Sequence, residues 1–281
     1  MDKIAFVILH YETVNDTEEC LNSLKKDINK ENVYIVVVDN GSKVGMLKSL
    51  EDKYKESKQI HFLYSKENLG FAGGNNIGFK YAKDVLHANL IVLANNDLIF
   101  NQDGFINILL EKYKSDMFDI AGPRIISLVD HKNQNPVPVL YKDISSLRKR
   151  ILKYRLLDFF SIFNFDLIIQ QKFAKEIEEY FPGENDDYQL HGACLIFGER
   201  YISNYNGLYD KTFMYGEESI LKYIVIRDGL IMKYIDEIEV IHKEGSSTQK
   251  MLGNGKKKRR FYYKWNIKSC LLLKNMMKEV N

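Results

Sequence analysis

The run Leu90-Ile-Val-Leu-Ala-Asn-Asn-Asp-Leu-Ile-Phe100 constrains the fold more than any other stretch of the chain. It climbs unbroken through apolar residues to Ala94, delivers Asn95, Asn96 and Asp97, and returns at once to apolar residues. A strand that is apolar on both faces belongs inside a parallel sheet with helices above and below. Ligands of open α/β sheets bind beyond the carboxyl ends of such strands. An Asp in that place is able to hold a divalent cation and, through it, a diphosphate. A polar turn closing a buried strand accounts for the same triplet, so the rest of the chain has to decide.

The preceding residues repeat the pattern. Ile4 to Tyr11, Val33 to Asp39 and Ile60 to Tyr64 read as strands, the first two ending in polar residues. Between them, Thr17 to about Lys26, with Asn15 and Asp16 as its cap, and a stretch through Leu47 and Tyr54 read as helices. Such alternation predicts right-handed crossovers and an α/β fold with a mostly parallel central sheet. Asp119 to Ile126 adds a strand, and the sheet resumes at His191-Gly-Ala-Cys-Leu-Ile-Phe197. Phe213-Met-Tyr-Gly-Glu-Glu-Ser219 opens a helix to about Arg227. Glu217 and Glu218 fall in its first turn, where the helix dipole favours negative charge whatever else they do. Leu230 to Tyr234 and Glu239 to Ile241 read as strand pieces leading to His242, followed by Gly245-Ser-Ser-Thr248 and a flexible Gly253 to Gly255.

Residues 130 to 190 differ in kind. Asn133 to Pro138 reads as a loop, Ile144 to about Phe163 and Gln170 to Tyr180 as helix, and Pro182 to Asp187 as a turn. Arg148, Lys149, Arg150, Lys153 and Arg155 are interleaved with the apolar positions of the first helix. This pattern suits a membrane-surface element or a solvated face over a core. Lys256 to Arg260 then leads into an aromatic helix, Phe261 to about Met277.

Composition narrows the function. A chain of 281 residues can form one large domain or a domain with an appendage. With 45% hydrophobic and 28% charged residues it is globular, and a net charge of +2 argues against a general nucleic-acid binder. Cys20, Cys194 and Cys270, far apart and odd in number, form neither a disulfide framework nor a zinc pattern and suggest a reducing compartment. The N-terminus does not read as a signal peptide, and no apolar run approaches a membrane span.

Five segments in register carry a family resemblance: Val38-Asp-Asn-Gly-Ser42, Asn68-Leu-Gly-Phe-Ala-Gly-Gly-Asn-Asn-Ile-Gly78, Asn95-Asn-Asp97, Phe213-Met-Tyr-Gly-Glu-Glu218 and Val240-Ile-His242. In this order they resemble the family 2 glycosyltransferases, inverting enzymes of the GT-A fold. The nearest group is the rhamnosyltransferase-like one of bacterial polysaccharide synthesis. The resemblance covers about 3 to 126 and 188 to 273. It implies a nucleotide-sugar-binding half (1–126), a helical insertion (127–187), an acceptor and catalytic half of the same domain (188–250) and a basic aromatic C-terminal helix (251–281).

The resemblance also implies roles. Asp39 accepts the imide N–H of uracil or thymine, the backbone around His10 and Tyr11 flanks the base, and Asn40 lies beside them. Gly70, Phe71, Gly74 and Asn75 bring backbone and exposed N–H groups close to the nucleotide. Asp97 ligates Mn²⁺ or Mg²⁺ on the diphosphate, and His242 completes the metal site. Asn95 stands where the family carries the first acid of its Asp-x-Asp motif and, with Asn96, lines the donor. Glu218, where Asp is usual, is the base, with Glu217 before it. His191, Gly192 and Ala193 line the acceptor side, with Trp265 where Arg is common. The implied partners are a UDP- or dTDP-sugar and a saccharide or lipid-linked saccharide; no nucleic acid is expected, and a membrane surface and a homodimer stay open. The expected place of work is the cytoplasmic face of the cell membrane, in capsule, O-antigen or cell-wall synthesis. Asn95 and Glu218 also fit a non-catalytic nucleotide-sugar-binding subunit of another transferase. A nucleotidyltransferase would carry a Gly-rich basic signature after the first strand, where this chain has His10-Tyr-Glu-Thr13.

Overall fold

The computed structural model describes residues 2–25, 31–141, 143–173, 179–183, 187–244 and 255–279. The readings of Gly245 to Thr248 and of Gly253, and part of the helix read over Gln170 to Tyr180, lie outside the described residues. In chain order the elements are β1 (Ile4–His10), α1 (Val14–Ser23), β2 (Val33–Asp39), α2 (Lys48–Tyr54), β3 (Ile60–Tyr64), α3 (Gly70–Asp84), β4 (Leu90–Asn95), β5 (Leu98–Ile99), α4 (Phe105–Asp116) and β6 (Ile120–Ser127). There follow β7 (Val137–Pro138), α5 (Ile144–Ser161), α6 (Phe165–Phe173), β8 (Tyr188–Gln189), β9 (Cys194–Phe197), α7 (Glu199–Asn204), α8 (Glu217–Arg227), β10 (Met232–His242) and α9 (Lys256–Glu279).

Eight strands form one sheet in the order β3-β2-β1-β4-β9-β6-β10-β5. β1, β2, β3 and β4 run parallel to one another, as do β6 and β10. The short β9 and β5 are antiparallel to theirs. Alternate residues of each strand enter opposite cores, because successive side chains of a strand point to opposite faces. Phe6, Ile8, Ile35, Val37 and Val92 pack with Cys20 and Leu21 of α1 and Phe105 of α4. Val7, Val36, Val38 and Leu93 pack on the other face with Phe79 of α3, Tyr201 of α7 and Leu221 of α8. A third layer stands on α8: Leu147 and Ile151 of α5 meet Ile220 and Ile224 of α8 and Cys270 and Leu273 of α9. All three cysteines are free and buried.

Several expectations are corrected. α1 begins at Val14, so Asn15 and Asp16 lie inside its first turn; it has no side-chain cap, and Thr13 O receives the Thr17 N–H instead. α4 went unread, and the loop over Asn133 to Pro138 contains β7, which pairs with β8. The two strand pieces after Leu230 are one strand, with an irregularity between Ile235 and Glu239. Glu179 and Tyr180 are not helical.

The fold places three strand ends side by side. His10 pairs in register with Asp39, and Leu9 with Asn95. β2 lies on one side of β1 and β4 on the other, so these ends flank a reversal of strand order, where open α/β sheets form their ligand crevice. After Asn95 the chain turns back to pair Leu98 and Ile99 with the end of β10, which brings Asp97 to His242.

Candidate active site

Asp39 is buried at the end of β2, and its Oδ1 accepts the Ser42 N–H at 2.9 Å, which fixes the carboxylate at the crevice. Tyr11 is half-exposed beside it. The His10 imidazole is fully buried and turned away, with Nδ1 2.7 Å from Thr17 Oγ1. His10 therefore reaches the crevice with its backbone only.

Other polar residues assigned to the donor are spent on the protein itself. Asn40 donates to Asn68 Oδ1 and Gly70 O and accepts from Leu69 N, clamping the entry to α3 onto β2. Asn96 donates to Thr13 Oγ1 and Thr17 Oγ1 at 2.7 and 2.8 Å, tying the end of β4 to α1. Gly70 has φ +78°, and a Cβ there would lie 2.0 Å from Phe213 O; a Cβ on Gly74 would strike Leu9 and Asn40. The close approach these glycines permit is thus to other parts of the chain. Asn75 donates to Phe71 O, and its Oδ1 is buried with no hydrogen-bond partner.

Asp97 and His242 form the second part. Asp97 is 6% exposed, and its Oδ1 has no hydrogen-bond partner although it lies 3.3 Å from His242 Nε2. Gln134 donates through Nε2 to Glu244 at 2.8 Å, so its Oε1, 2.7 Å from His242 Nδ1, faces the ring as an acceptor. The neutral ring then carries its proton on Nδ1 and turns an Nε2 lone pair towards the carboxylate. Two acceptors that face each other across a buried gap are complementary to a cation. Two octahedral ligands at about 2.1 Å and right angles stand about 3 Å apart, close to the gap present here. The outer hydrogen bond that orients a ligating imidazole is also in place. Among the described residues no group of three or more His, Cys, Asp or Glu converges to hold a metal, so a cation here would draw its remaining ligands from a bound molecule.

The third part is a cavity of about 300 Å³ lined by Asn95, His191, Gly192, Ala193, Glu217 and Glu218, among others. α8 starts at Glu217, so both carboxylates sit in its first turn. Glu217 is buried and accepts from Thr212 Oγ1 at 3.0 Å. Glu218 is half-buried against Gly192, where an added Cβ would lie 2.8 Å from its Oε1. Burial raises the Glu218 carboxyl above its usual range, opposed by the N–H groups of Glu218 and Gly192. Burial, and then the charge of Glu218, push Glu217 up to about 7. His191 joins the second and third parts: it lines the cavity, and its ring lies 5.9 Å from that of His242. Burial and then His242 push His191 down to about 4, so it is neutral at physiological pH and accepts the Ala193 N–H.

Trp265 lies outside the cavity lining. It stacks on Phe213 at 5.2 Å and packs α9 against the loop before α8, while Tyr262 and Asn266 of the same helix line the cavity. Arg150 of α5 lines it too. Sequence reasoning placed Arg150 within a basic run without singling it out. Gln134 and Glu244 were missed altogether, having no signal until β10 and the β6–β7 loop are placed together.

Comparison with known proteins agrees with this fold. The family model for glycosyl transferase family 2 matches residues 5–173. The chain belongs to glycosyl transferase family 2. This family 2 glycosyltransferase is 24% identical, over 87% of its length and 68% of the relative, to the low-salt glycan biosynthesis hexosyltransferase Agl10 of Haloferax volcanii. It is 28% identical to the dTDP-rhamnosyl transferase RfbF of Shigella flexneri, over 50% of its length and 44% of the relative. The fold is of the GT-A type. It resembles S. aureus TarS 1-349 solved with UDP at TM-score 0.56 and 12% identity, covering 86% of this chain and 61% of that one. It resembles GalNAc-T7 solved with UDP, GalNAc and Mn²⁺ at TM-score 0.58 and 12% identity, covering 87% and 44%. The match covers less than two thirds of either structure and of RfbF. Among the described residues no helix is long and apolar enough to cross a membrane.

Proposed function

We propose that this glycosyltransferase moves a sugar from a UDP- or dTDP-sugar to a saccharide hydroxyl with inversion at the anomeric carbon. The observation that carries the reading is the placement of Glu218 in one cavity with Asn95, two residues from the Asp97–His242 pair. Asp39 pairs with the imide N–H of the base, and Asn95 hydrogen-bonds the donor between the two centres. Asp97 and His242 hold Mn²⁺ or Mg²⁺, which when bound stabilises charge on the departing diphosphate. Glu218 takes the proton of the attacking hydroxyl. The new bond joins the acceptor oxygen to the anomeric carbon, the bond from that carbon to the diphosphate oxygen breaks, and the nucleoside diphosphate leaves. Glu217, tied to Thr212, keeps a second carboxyl beside the base, and the charge of the base helps it to hold its own proton. The dTDP-rhamnosyl and hexosyl activities in the names of the relatives support a hexose or deoxyhexose donor and a place in glycan assembly.

Thermal shifts with UDP, dTDP, GDP and CDP, each with and without Mn²⁺, test the donor half, because a ligand of the folded state raises Tm by mass action. A UDP or dTDP shift that needs Mn²⁺ and is lost in Asp97→Ala is the expected result; no shift with any nucleotide overturns the reading. For the second half, Glu218→Gln is expected to lower kcat about 10²–10⁴-fold with donor binding unchanged. Turnover that survives this change removes Glu218 as the base.

A further inference from the structure

Arg150 stands where the carboxylate cavity meets a larger space. Its guanidinium lies between the rings of Tyr141 and Tyr154, 5.3 Å from each centroid, and Nη2 donates to Tyr154 OH at 3.0 Å. Its Nε is buried without a hydrogen-bond partner. Among the described residues no carboxylate lies within ion-pair distance of it, although Glu217 and Glu218 line the same cavity. Arg150 is half-buried, and a cation that loses part of its water without a counter-ion is held at a cost. The two ring faces offset part of that cost. An anion brought by a ligand would offset the rest and would meet the buried Nε. Arg150 is also not a solvated member of a basic face, as its neighbours Arg148 and Lys149 are.

The larger space is a groove of about 1300 Å³ along α5, α6 and α9, above the roughly 300–1,000 Å³ of ordinary small-molecule pockets. Leu156, Leu157, Phe160 and Ile169 give it apolar walls, and the exposed Lys149 and Lys153 supply further positive charge. Leu140, Arg150 and Tyr262 line both spaces, so the two are continuous. Along this path the chemistry runs from carboxylates to a guanidinium to an apolar channel. An acceptor that matches it carries a sugar, then an anionic ester, then a long apolar chain.

We infer that the acceptor is a saccharide linked through phosphate or diphosphate to a lipid, with its anion on Arg150 and its chain in this groove. The inference rests on the transferase reading above and assigns it an acceptor class and a recognition residue. Arg suits the task because its planar fork binds a phosphate through two N–H groups at once while stacking between aromatic rings.

Farnesyl diphosphate is the probe, titrated calorimetrically into protein saturated with UDP and Mn²⁺ so that the donor site is filled. Binding is expected to fall at least tenfold in Arg150→Gln and in Leu156→Glu, which sets a negative charge on the groove wall. Arg150→Lys is expected to lie between wild type and Arg150→Gln. Farnesol and inorganic diphosphate, each with half of the chemistry, are expected to bind at least tenfold more weakly than the probe. Inorganic diphosphate that binds as tightly as the probe shows a plain anion site and overturns the inference, as does probe binding unchanged in Arg150→Gln. Wild type that takes UDP and not the probe overturns the inference and leaves the transferase reading standing, whereas the absence of any UDP shift sinks that reading itself. An unchanged UDP shift in both variants shows that the fold is intact.

Discussion

Glu217 and Glu218 are neighbours in the first turn of a helix, and burial separates them from an ordinary pair of capping acids. Both carboxyls are raised, Glu217 to about 7, so the pair sheds its second proton near neutrality rather than near 4. The acid limb of kcat/KM follows the base, Glu218, and is therefore expected above the usual carboxylate range. Glu217→Gln is expected to leave that limb in place, because burial and not Glu217 raises Glu218, and a pH–rate profile measures it. The same shift has a consequence for stability. Folded Glu217 binds its proton more tightly than the unfolded chain does, so its contribution is fully present below its ordinary value of 4.5 and is lost as the pH rises through about 7. Glu217→Gln is accordingly expected to flatten the fall in Tm across this window and to melt higher than wild type at pH 8. The expected gain is a few degrees, since about 1 kcal/mol moves Tm by about 2–4 °C in a chain of this size. The carboxylates were legible because a paired acid at a helix start is a pattern in the sequence. The bonds of Asn40 and Asn96 were not legible, because the partners of an amide depend on what the fold brings beside it. Here those partners are Gly70 and Leu69 for Asn40, and Thr13 and Thr17 for Asn96.

α3 shows the same limit for a whole element. Its glycine-rich start matched the family and was read as a cradle for the nucleotide. In the structure Gly78 lies against β1 and β2, where a Cβ would stand 2.3 Å from Val7 Cγ1 and 2.8 Å from Val38 Cγ2. Both neighbours are β-branched side chains of buried central strands, stiff at χ1 and without room to yield. Gly78→Ala is expected to destabilise the protein by about 1–3 kcal/mol through overpacking, read as a lower urea midpoint at unchanged slope. A loss of UDP affinity without a loss of stability would return Gly78 to the nucleotide site. The strands on which α3 rests were legible for the reason that makes them intolerant: β1, β2 and β4 are buried on both faces and appear as unbroken apolar runs. β5 has two residues and pairs by an antiparallel return, so nothing local marks it. Yet it is β5 that carries Asp97 to His242, which is why the metal pair could be proposed from motif order and not from pattern.

At the scale of the molecule, the described chain is a sheet that carries the candidate site, with a layer of α5, α6 and α9 attached through α8. That layer is joined by a buried polar knot. Asp166 of α6 is fully buried and accepts Arg259 Nε at 2.6 Å and Tyr263 OH at 2.8 Å, both from α9. Burial alone pushes this carboxyl up, but the bonds from Arg259 and Tyr263 outweigh it and hold the carboxyl below its usual range. Its stabilising contribution is thus complete above its ordinary value of 3.8 and is lost as the pH falls below it. Asp166→Ala leaves Arg259 and Tyr263 without their shared acceptor, and removing one member of such a pair costs about 3–5 kcal/mol when both are buried. Arg259 keeps 18% of its side-chain surface in water, so the lower end, about 3 kcal/mol, is expected. The loss should fall on one side of the molecule. Among the described residues α6 packs on α5 and, through Asp166, on α9, so the ends of β1, β2 and β4 are expected to keep their register when it loosens. Asp166→Ala is therefore expected to bind UDP and Mn²⁺ as wild type does, while residues 144–173 become open to limited proteolysis and farnesyl diphosphate binding weakens. Equal loss of UDP and lipid binding would mean that the two halves unfold as one unit, and that the acceptor layer does not move independently of the donor crevice.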